Sequence, residues 1–216
     1  DDRRQRQMCI RDRSNGNEEW GIRYKEVNLD LSKLLKKKLG IVDELTKGID
    51  FLFKKNKVTK YIGVAKILSP NEIEIMNNEK AEIINADKII IATGSESTNL
   101  PNINVDEKKI VTSTGALELD KVPQKMIVIG AGIIGLEMGT VWRRLGAEVE
   151  VVEYLPRILP GIDDEIANNF MKILQKQGVK FKLSHSVEKA QIINDKVLLS
   201  VKDINNNTCL LYTSPS

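Results

Sequence analysis

The chain is poor in cysteine and histidine. Of 216 residues, two are cysteine (Cys9 and Cys209) and one is histidine (His185). With one cysteine near each end, no C-x-x-C or C-x4-C pair exists. Two cysteines and one histidine also cannot build a zinc site of the usual four-ligand kind. A disulfide joining the two ends is the thiol chemistry that remains, and sparse cysteine fits a reducing compartment. Long apolar runs are missing too. The longest uncharged one, Met126–Leu136, has 11 residues and contains three glycines, short of the roughly 18 that a membrane helix requires. Nor does either charge dominate: 33 Lys and Arg stand against 30 Asp and Glu, for a net +3. Five arginines and three aspartates in the first 14 residues supply two of those charges, leaving 28 against 27 in the rest. A body so balanced gives no footing for a nucleic-acid interface, and neither nucleic acid nor membrane is expected as a partner. Aromatics are only 5%, but 41% apolar and 29% charged residues are ordinary for a globular chain and exclude wholesale disorder.

What is present divides into two units. The opening DDRRQRQMCIRDRS and the closing CLLYTSPS have neither signal-peptide nor element patterning. They read as translated adapter sequence, so 1–14 and 209–216 are expected to be non-native tails. From Asp30 to about Lys55, Leu31, Leu34, Leu35, Val42, Leu45, Ile49 and Leu52 recur at helical spacing. Asp30 is placed as the N-cap, and Lys54, Lys55 and Lys57 suit the C-terminal end, with Gly40 and Gly48 as interruption points. Lys36, Lys37 and Lys38 read as a solvated helix face. Three β-rich runs follow at Tyr61–Leu68, Glu72–Met76 and Glu82–Ile91, with connections short enough for an antiparallel meander. The last ends in IIIATGS, an unbroken apolar stretch that predicts burial on both faces. Residues 99–124, bracketed by Pro101 and Pro123, read as a linker.

The second unit alternates strand and helix. Met126–Ile129 is a buried strand, a helix runs to about Leu145 and stops at Gly146, and Glu148–Glu153 is the next strand. A loop with two prolines, Leu155–Ile162, leads to a helix from Asp163 or Asp164 to Gly178, with Ile166, Phe170, Ile173 and Leu174 pointing inward. Val179–Leu183 is a third strand, and Val187–Ile193 with Lys196–Val201 forms a hairpin turned by Asn194-Asp195. This is an α/β pattern, a doubly wound parallel sheet of Rossmann type.

Gly130-Ala131-Gly132-Ile133-Ile134-Gly135 stands where a dinucleotide-binding turn requires it: after a strand, opening a helix, inside a βαβ unit. Glu153 ends the next strand, 153 − 130 = 23 positions on, against an expected spacing of about 20. Gly130 permits the tight turn, Gly132 lets backbone approach a pyrophosphate, and Gly135 lets helix and strand pack closely. The free amides at the helix start then hold negative charge. A carboxylate at Glu153 accepts from ribose hydroxyls and repels a 2′-phosphate, and Tyr154 and Leu155 follow it, with Arg157 the nearest cation. NAD is favoured over NADP. Glu137, beside Leu136 in the first turn of the helix, is either a carboxylate favoured by the dipole or a residue facing the nicotinamide end.

GAGIIGLEMGTVWRRLGAEVEVVE, preceded by IIIATGS and VTSTGALELDKVPQKM, resembles the flavin-dependent pyridine-nucleotide disulfide oxidoreductases. STGALEL and QKQGVKFK point to their lipoamide branch. The similarity runs from about Trp20 to about Ile204 and implies an FAD/NAD two-domain flavoprotein fold, incomplete here. A partial FAD-binding domain would occupy 15–98 and a truncated NAD-binding domain 125–208. Ala65, Thr93, Gly94 and Ser95 would contact FAD. Gly130, Ala131, Gly132, Ile133, Ile134, Gly135, Leu136, Glu137 and Glu153 would contact NAD. The implied activity is oxidation of protein-bound dihydrolipoamide by NAD. Its partner would be the lipoyl domain of a 2-oxoacid dehydrogenase or glycine-cleavage complex, and the complete protein would be a homodimer in the bacterial cytoplasm or the mitochondrial matrix.

The family's first GxGxxG, its C-x4-C redox disulfide and its catalytic His–Glu pair have no counterpart in the sequence. No catalytic residue is therefore assigned, and the chain is expected to be an internal fragment inactive alone. Two alternatives stay open: a sibling disulfide reductase of glutathione or mercuric-ion type, and a non-catalytic NAD-binding sensor module.

Overall fold

The computed structural model describes residues 28–78, 80–203, 205 and 207–213. The expected tail 1–14, with Cys9, lies outside the described residues, as do 214–216. Helix α1 (Leu31–Lys55) is continuous through Gly40 and Gly48. The Asp30 side chain accepts the Lys33 amide at 3.0 Å, and Lys54 and Lys55 occupy the last turn, so both helix ends are satisfied as the sequence prescribes. None of its residues is buried. Leu31 touches the core of the second unit, and Lys38 Nζ donates to the Leu117 carbonyl at 2.7 Å. Beyond the half-buried Leu35 the rest of the apolar stripe is uncovered, with Leu45 at 64% exposure.

Strands β1 (Val64–Ser69), β2 (Glu72–Asn77) and β3 (Lys80–Asn85) form the antiparallel meander, in that order. The third predicted run is corrected. Pairing stops at Asn85, Ile89-Ile90-Ile91 belongs to no strand, and Ile90 and Ile91 are 91% and 71% exposed. An apolar strand covered on both faces needs a neighbour on each side, and among the described residues none pairs with 88–95.

A short helix, α2 (Ser113–Ala116), precedes the parallel sheet. That sheet has the order β4 (Lys125–Ile129), β5 (Glu148–Val152), β6 (Lys180–Lys182), linked by α3 (Ile133–Leu145) and α4 (Asp164–Lys176). The two-residue period of β5 sends Val149 and Val151 into the helix-side core, with Leu136, Trp142 and Leu174. Val152 instead joins Leu199, Val201 and Leu211 in a second core. Trp142, 3% exposed, donates its indole N–H to the Ala116 carbonyl at 3.0 Å and so fastens α2 to α3. Glu150, buried in β5, is paired with Lys125 at 3.1 Å. The first strand is half-buried where full burial was expected, because β4 is an edge of the sheet.

On α4 the inward face is shifted from the one expected. Ala167 and Leu174 are buried and Phe170 and Met171 partly so, whereas Ile166 and Ile173 are 61% and 51% exposed. A stripe at 167, 170, 171 and 174 has helical spacing, and the two isoleucines sit about 100° from its centre.

The second face of the parallel sheet is covered by an antiparallel sheet, β7 (His185–Ile193), β8 (Lys196–Asp203) and β9 (Thr208–Tyr212). Asn194 and Asp195 both have positive φ (48° and 68°), as a two-residue type I′ hairpin demands. Residues Cys209–Tyr212, within the segment read as a C-terminal tail, pair with β8, and Leu211 is 8% exposed. The four are apolar throughout and their burial alternates: Leu211 faces the second core, and Leu210 and Tyr212 are 50% and 53% exposed. Cys209 is a free thiol. Among the described residues, no helix is long and apolar enough to cross a membrane.

Candidate functional site

The turn from β4 into α3 carries the site. Gly130 has φ +95°, a conformation that favours glycine, and its amide extends the sheet ladder to the Val152 carbonyl at 2.8 Å. Gly132 is the N-cap of α3 and offers no side-chain acceptor. The helical ladder opens with the Leu136 amide on the Gly132 carbonyl at 3.1 Å, so the amides of Ile133, Ile134 and Gly135 precede it. A Cβ at Gly130 or Gly132 would have nothing within 4 Å, whereas one at Gly135 would lie 2.6 Å from the Gly130 carbonyl oxygen. The first two glycines thus leave space on the outside of the turn, and the third fits helix against strand.

Glu153 ends β5 beside this turn and is 9% exposed. Its Oε2 accepts the Ala131 amide at 2.6 Å and its Oε1 the Leu155 amide at 2.8 Å. Each oxygen retains a further acceptor site. The loop after Glu153 folds back on the turn: the Leu159 amide donates to the Ala131 carbonyl at 2.9 Å, with Leu159 at φ +50° and Ile158 buried. Both backbone groups of the fully buried Ala131 are thereby used.

The residues expected at a cofactor are distributed unevenly. Gly130, Ala131, Gly132, Ile133, Ile134, Gly135 and Glu153 come together. Ile133 and Ile134 are each 60% exposed, and Glu137 is exposed one turn on. Leu136 turns into the core at 3% exposure, with its amide committed to Gly132. Ala65 lies in the separate meander, paired with Ile75. Thr93, Gly94 and Ser95 are exposed and outside regular structure, Gly94 with φ +82° and open space where a Cβ would be. The two FAD-side groups are not gathered around the glycine turn.

Gly139 was missed by the sequence reasoning. A Cβ there would sit 3.3 Å from both Val128 Cγ2 and Val149 Cγ1, and its spacing of four from Gly135 along one helix face was the available signal. A cleft of about 510 Å3 also went unforeseen. It is lined by Leu100, Ile103, Val111, Met126, Met138 and Leu199 among others, and bounded by Lys109, whose ammonium pairs with Asp195. The preceding turn is fixed by Asp106. Partial burial works to raise the pKa of its carboxyl, but the amides of Lys108, Ile110 and Lys109 hold it below the usual carboxylate range. His185 begins β7, its Nδ1 2.7 Å from the Leu183 carbonyl. Among the described residues, no three His, Cys, Asp or Glu groups are arranged to hold a metal.

The sequence model of the family "pyridine nucleotide-disulphide oxidoreductase" matches residues 9–212. The chain belongs to this family. Dihydrolipoyl dehydrogenase of pea (Pisum sativum) mitochondria is 48% identical over 183 residues, 84% of this chain and 36% of the pea protein. Leghemoglobin reductase of soybean (Glycine max) is 46% identical over 183 residues, 84% of this chain and 35% of that protein. The chain therefore spans about a third of the length of the curated relatives it matches. Among solved structures, LpdA of Mycobacterium tuberculosis superposes with a TM-score of 0.76 at 20% identity, over 88% of this chain and 42% of that one. The likeness is one of fold, a parallel sheet with antiparallel companions.

Proposed function

We propose that this chain is the NAD-binding unit, with one side of the FAD site, of a dihydrolipoyl dehydrogenase. The observation that carries the reading is the pairing of an uncapped, glycine-lined start of α3 with the Glu153 carboxylate, 2.6 Å from the Ala131 amide. The open space over Gly130 and Gly132 fits a pyrophosphate on the Ile133, Ile134 and Gly135 amides. The remaining acceptor sites of Glu153 fit the two hydroxyls of an adenosine ribose. Glu137, exposed one turn along, lies toward the nicotinamide end. Thr93-Gly94-Ser95 and the backbone at Ala65 would hold FAD once further elements enclose them.

When bound, the two cofactors supply electron transfer and hydride acceptance, and this chain's residues do the placing. Family membership supports the use of FAD and NAD, and the names of the relatives support dihydrolipoamide as reductant. The partner is then the lipoyl domain of a 2-oxoacid dehydrogenase or glycine-cleavage complex, and the complete protein a homodimer. Relatives described as mitochondrial favour the matrix as its location, with bacterial cytoplasm as the alternative. The soybean relative supports a second reading, in which the same NAD unit serves a different electron acceptor.

Titration of the chain with NADH, followed by nucleotide fluorescence, tests the binding claim. Saturable uptake that weakens about tenfold or more in Glu153→Ala is expected, and uptake indifferent to that change overturns it. Sequencing the flanking gene tests the parent activity, since a C-x4-C upstream is required. Purified chain free of host enzyme is expected to show no dihydrolipoamide-dependent turnover.

A further inference from the structure

The first cation after Glu153 is Arg157, four residues along, in the loop that is tied to Glu153 through the Leu155 amide and to the glycine turn through the Leu159 amide. An arginine in such a place has the reach and the planar fork to bind a ribose 2′-phosphate. Here its fork is occupied elsewhere. Nη1 pairs with the Asp164 carboxylate at the start of α4, Nη2 donates to the Ile162 carbonyl, and Nε faces the Ile158 carbonyl at 3.5 Å. The Ile162 and Asp164 partners lie at the far end of the loop, and the Ile158 carbonyl belongs to the neighbouring residue. Only one of them carries charge.

We propose that Asp164 is a specificity-determining residue: by holding the Arg157 guanidinium on the α4 side, it denies a cation to the ribose site and so strengthens the preference for a nucleotide without a 2′-phosphate. The proposal rests on the reading of Glu153 as the ribose acceptor and adds to it. Glu153 repels the phosphate, and Asp164 removes the group that would offset the repulsion. Asp164 touches neither the glycine turn nor Glu153, and its side chain is 76% exposed, so its replacement leaves the core and the NADH contacts in place. The N-cap of α4 is its neighbour Asp163, which accepts the Glu165 and Ile166 amides.

The test is binding of NADH and NADPH, by calorimetry, to the full chain and to Asp164→Asn, Arg157→Ala, Arg157→Lys and the Asp164→Asn/Arg157→Ala double variant. An exposed ion pair sets a modest scale, so Asp164→Asn should tighten NADPH about two- to five-fold with NADH unchanged. The double variant should lose that gain. Arg157→Lys, which keeps the charge but breaks the forked hold, should also tighten NADPH. The proposal is overturned if NADPH affinity is the same in Asp164→Asn and Arg157→Lys as in the parent, or if the gain survives removal of Arg157. Failure of the unaltered chain to bind NADH would instead reject the underlying reading of the site.

Discussion

Glu153 and Ala131, 22 positions apart, are joined by a 2.6 Å hydrogen bond from the buried Ala131 amide to the Glu153 carboxylate. One side chain thus fixes the glycine turn against the end of the neighbouring parallel strand. The same carboxylate, through the Leu155 amide, fixes the loop that follows. The acid that marks the dinucleotide motif is a tie within the protein as well as a ligand group.

Glu153→Gln should separate these duties from a simple loss of charge. An amide side chain has one acceptor oxygen and would turn its NH2 toward one of the two backbone donors. The cost of an unpaired buried amide is about 1–3 kcal/mol. A fall in the urea midpoint is expected together with weaker NADH uptake, and unchanged stability would show that the tie is dispensable.

Gly135→Ala places a methyl group 2.6 Å from the Gly130 carbonyl oxygen and 3.1 Å from Val128 Cγ1. Backbone cannot yield as a flexible side chain does, so overpacking of about 1–3 kcal/mol is expected. Gly132→Ala meets nothing within 4 Å and should leave thermal stability nearly unchanged while weakening NADH, because its methyl group occupies the space the pyrophosphate needs. Thermal melts and NADH titrations on both variants check the contrast.

Trp142→Phe removes the indole N–H that satisfies the Ala116 carbonyl. Loss of one buried hydrogen bond and some packing should cost about 1–3 kcal/mol. Hydrogen exchange should rise around Ser113–Ala116 more than in the parallel sheet.

Asp106 gives a pH dependence of known sign. Its carboxyl is held below its ordinary value in the folded chain, so its contribution is present above the unfolded pKa and disappears as pH falls through the folded one. Asp106→Asn should therefore be less stable than the parent at pH 7, with the gap narrowing below about pH 4. Denaturation midpoints from pH 7 to 3 measure it.

Ile90 and Ile91 leave a strongly apolar surface open. Replacing both with Lys should reduce aggregation of the isolated chain, read by light scattering, without changing its NADH uptake.

Much of the fold was legible because its signals are local. The Asp30 cap, the stop at Gly146, the Asn194-Asp195 turn and the strand–glycine turn–helix sequence each depend on residues within a few positions of one another. The misplaced parts depend on what lies beside them. Nothing in Ile89-Ile90-Ile91 distinguishes a strand with neighbours from one without. The exposure of Ile166 and Ile173 follows from which side of α4 meets the sheet, and the pairing of Cys209–Tyr212 with β8 from a strand edge left free. Gly139 carried a signal at its four-residue spacing from Gly135, but its tightness is set by Val128 and Val149.

By itself the sequence determined the element order, the caps and turns, and the chemistry offered at the glycine turn and Glu153, because hydrogen-bonding capacity and backbone freedom are properties of individual residues. Tertiary structure alone decided which of those groups remain available. The Ala131 amide is consumed by Glu153 and its carbonyl by Leu159, and Arg157 is drawn to Asp164. A hydrogen bond or ion pair is a fact about distance, and distance across a chain is set only when the strands and helices close on one another.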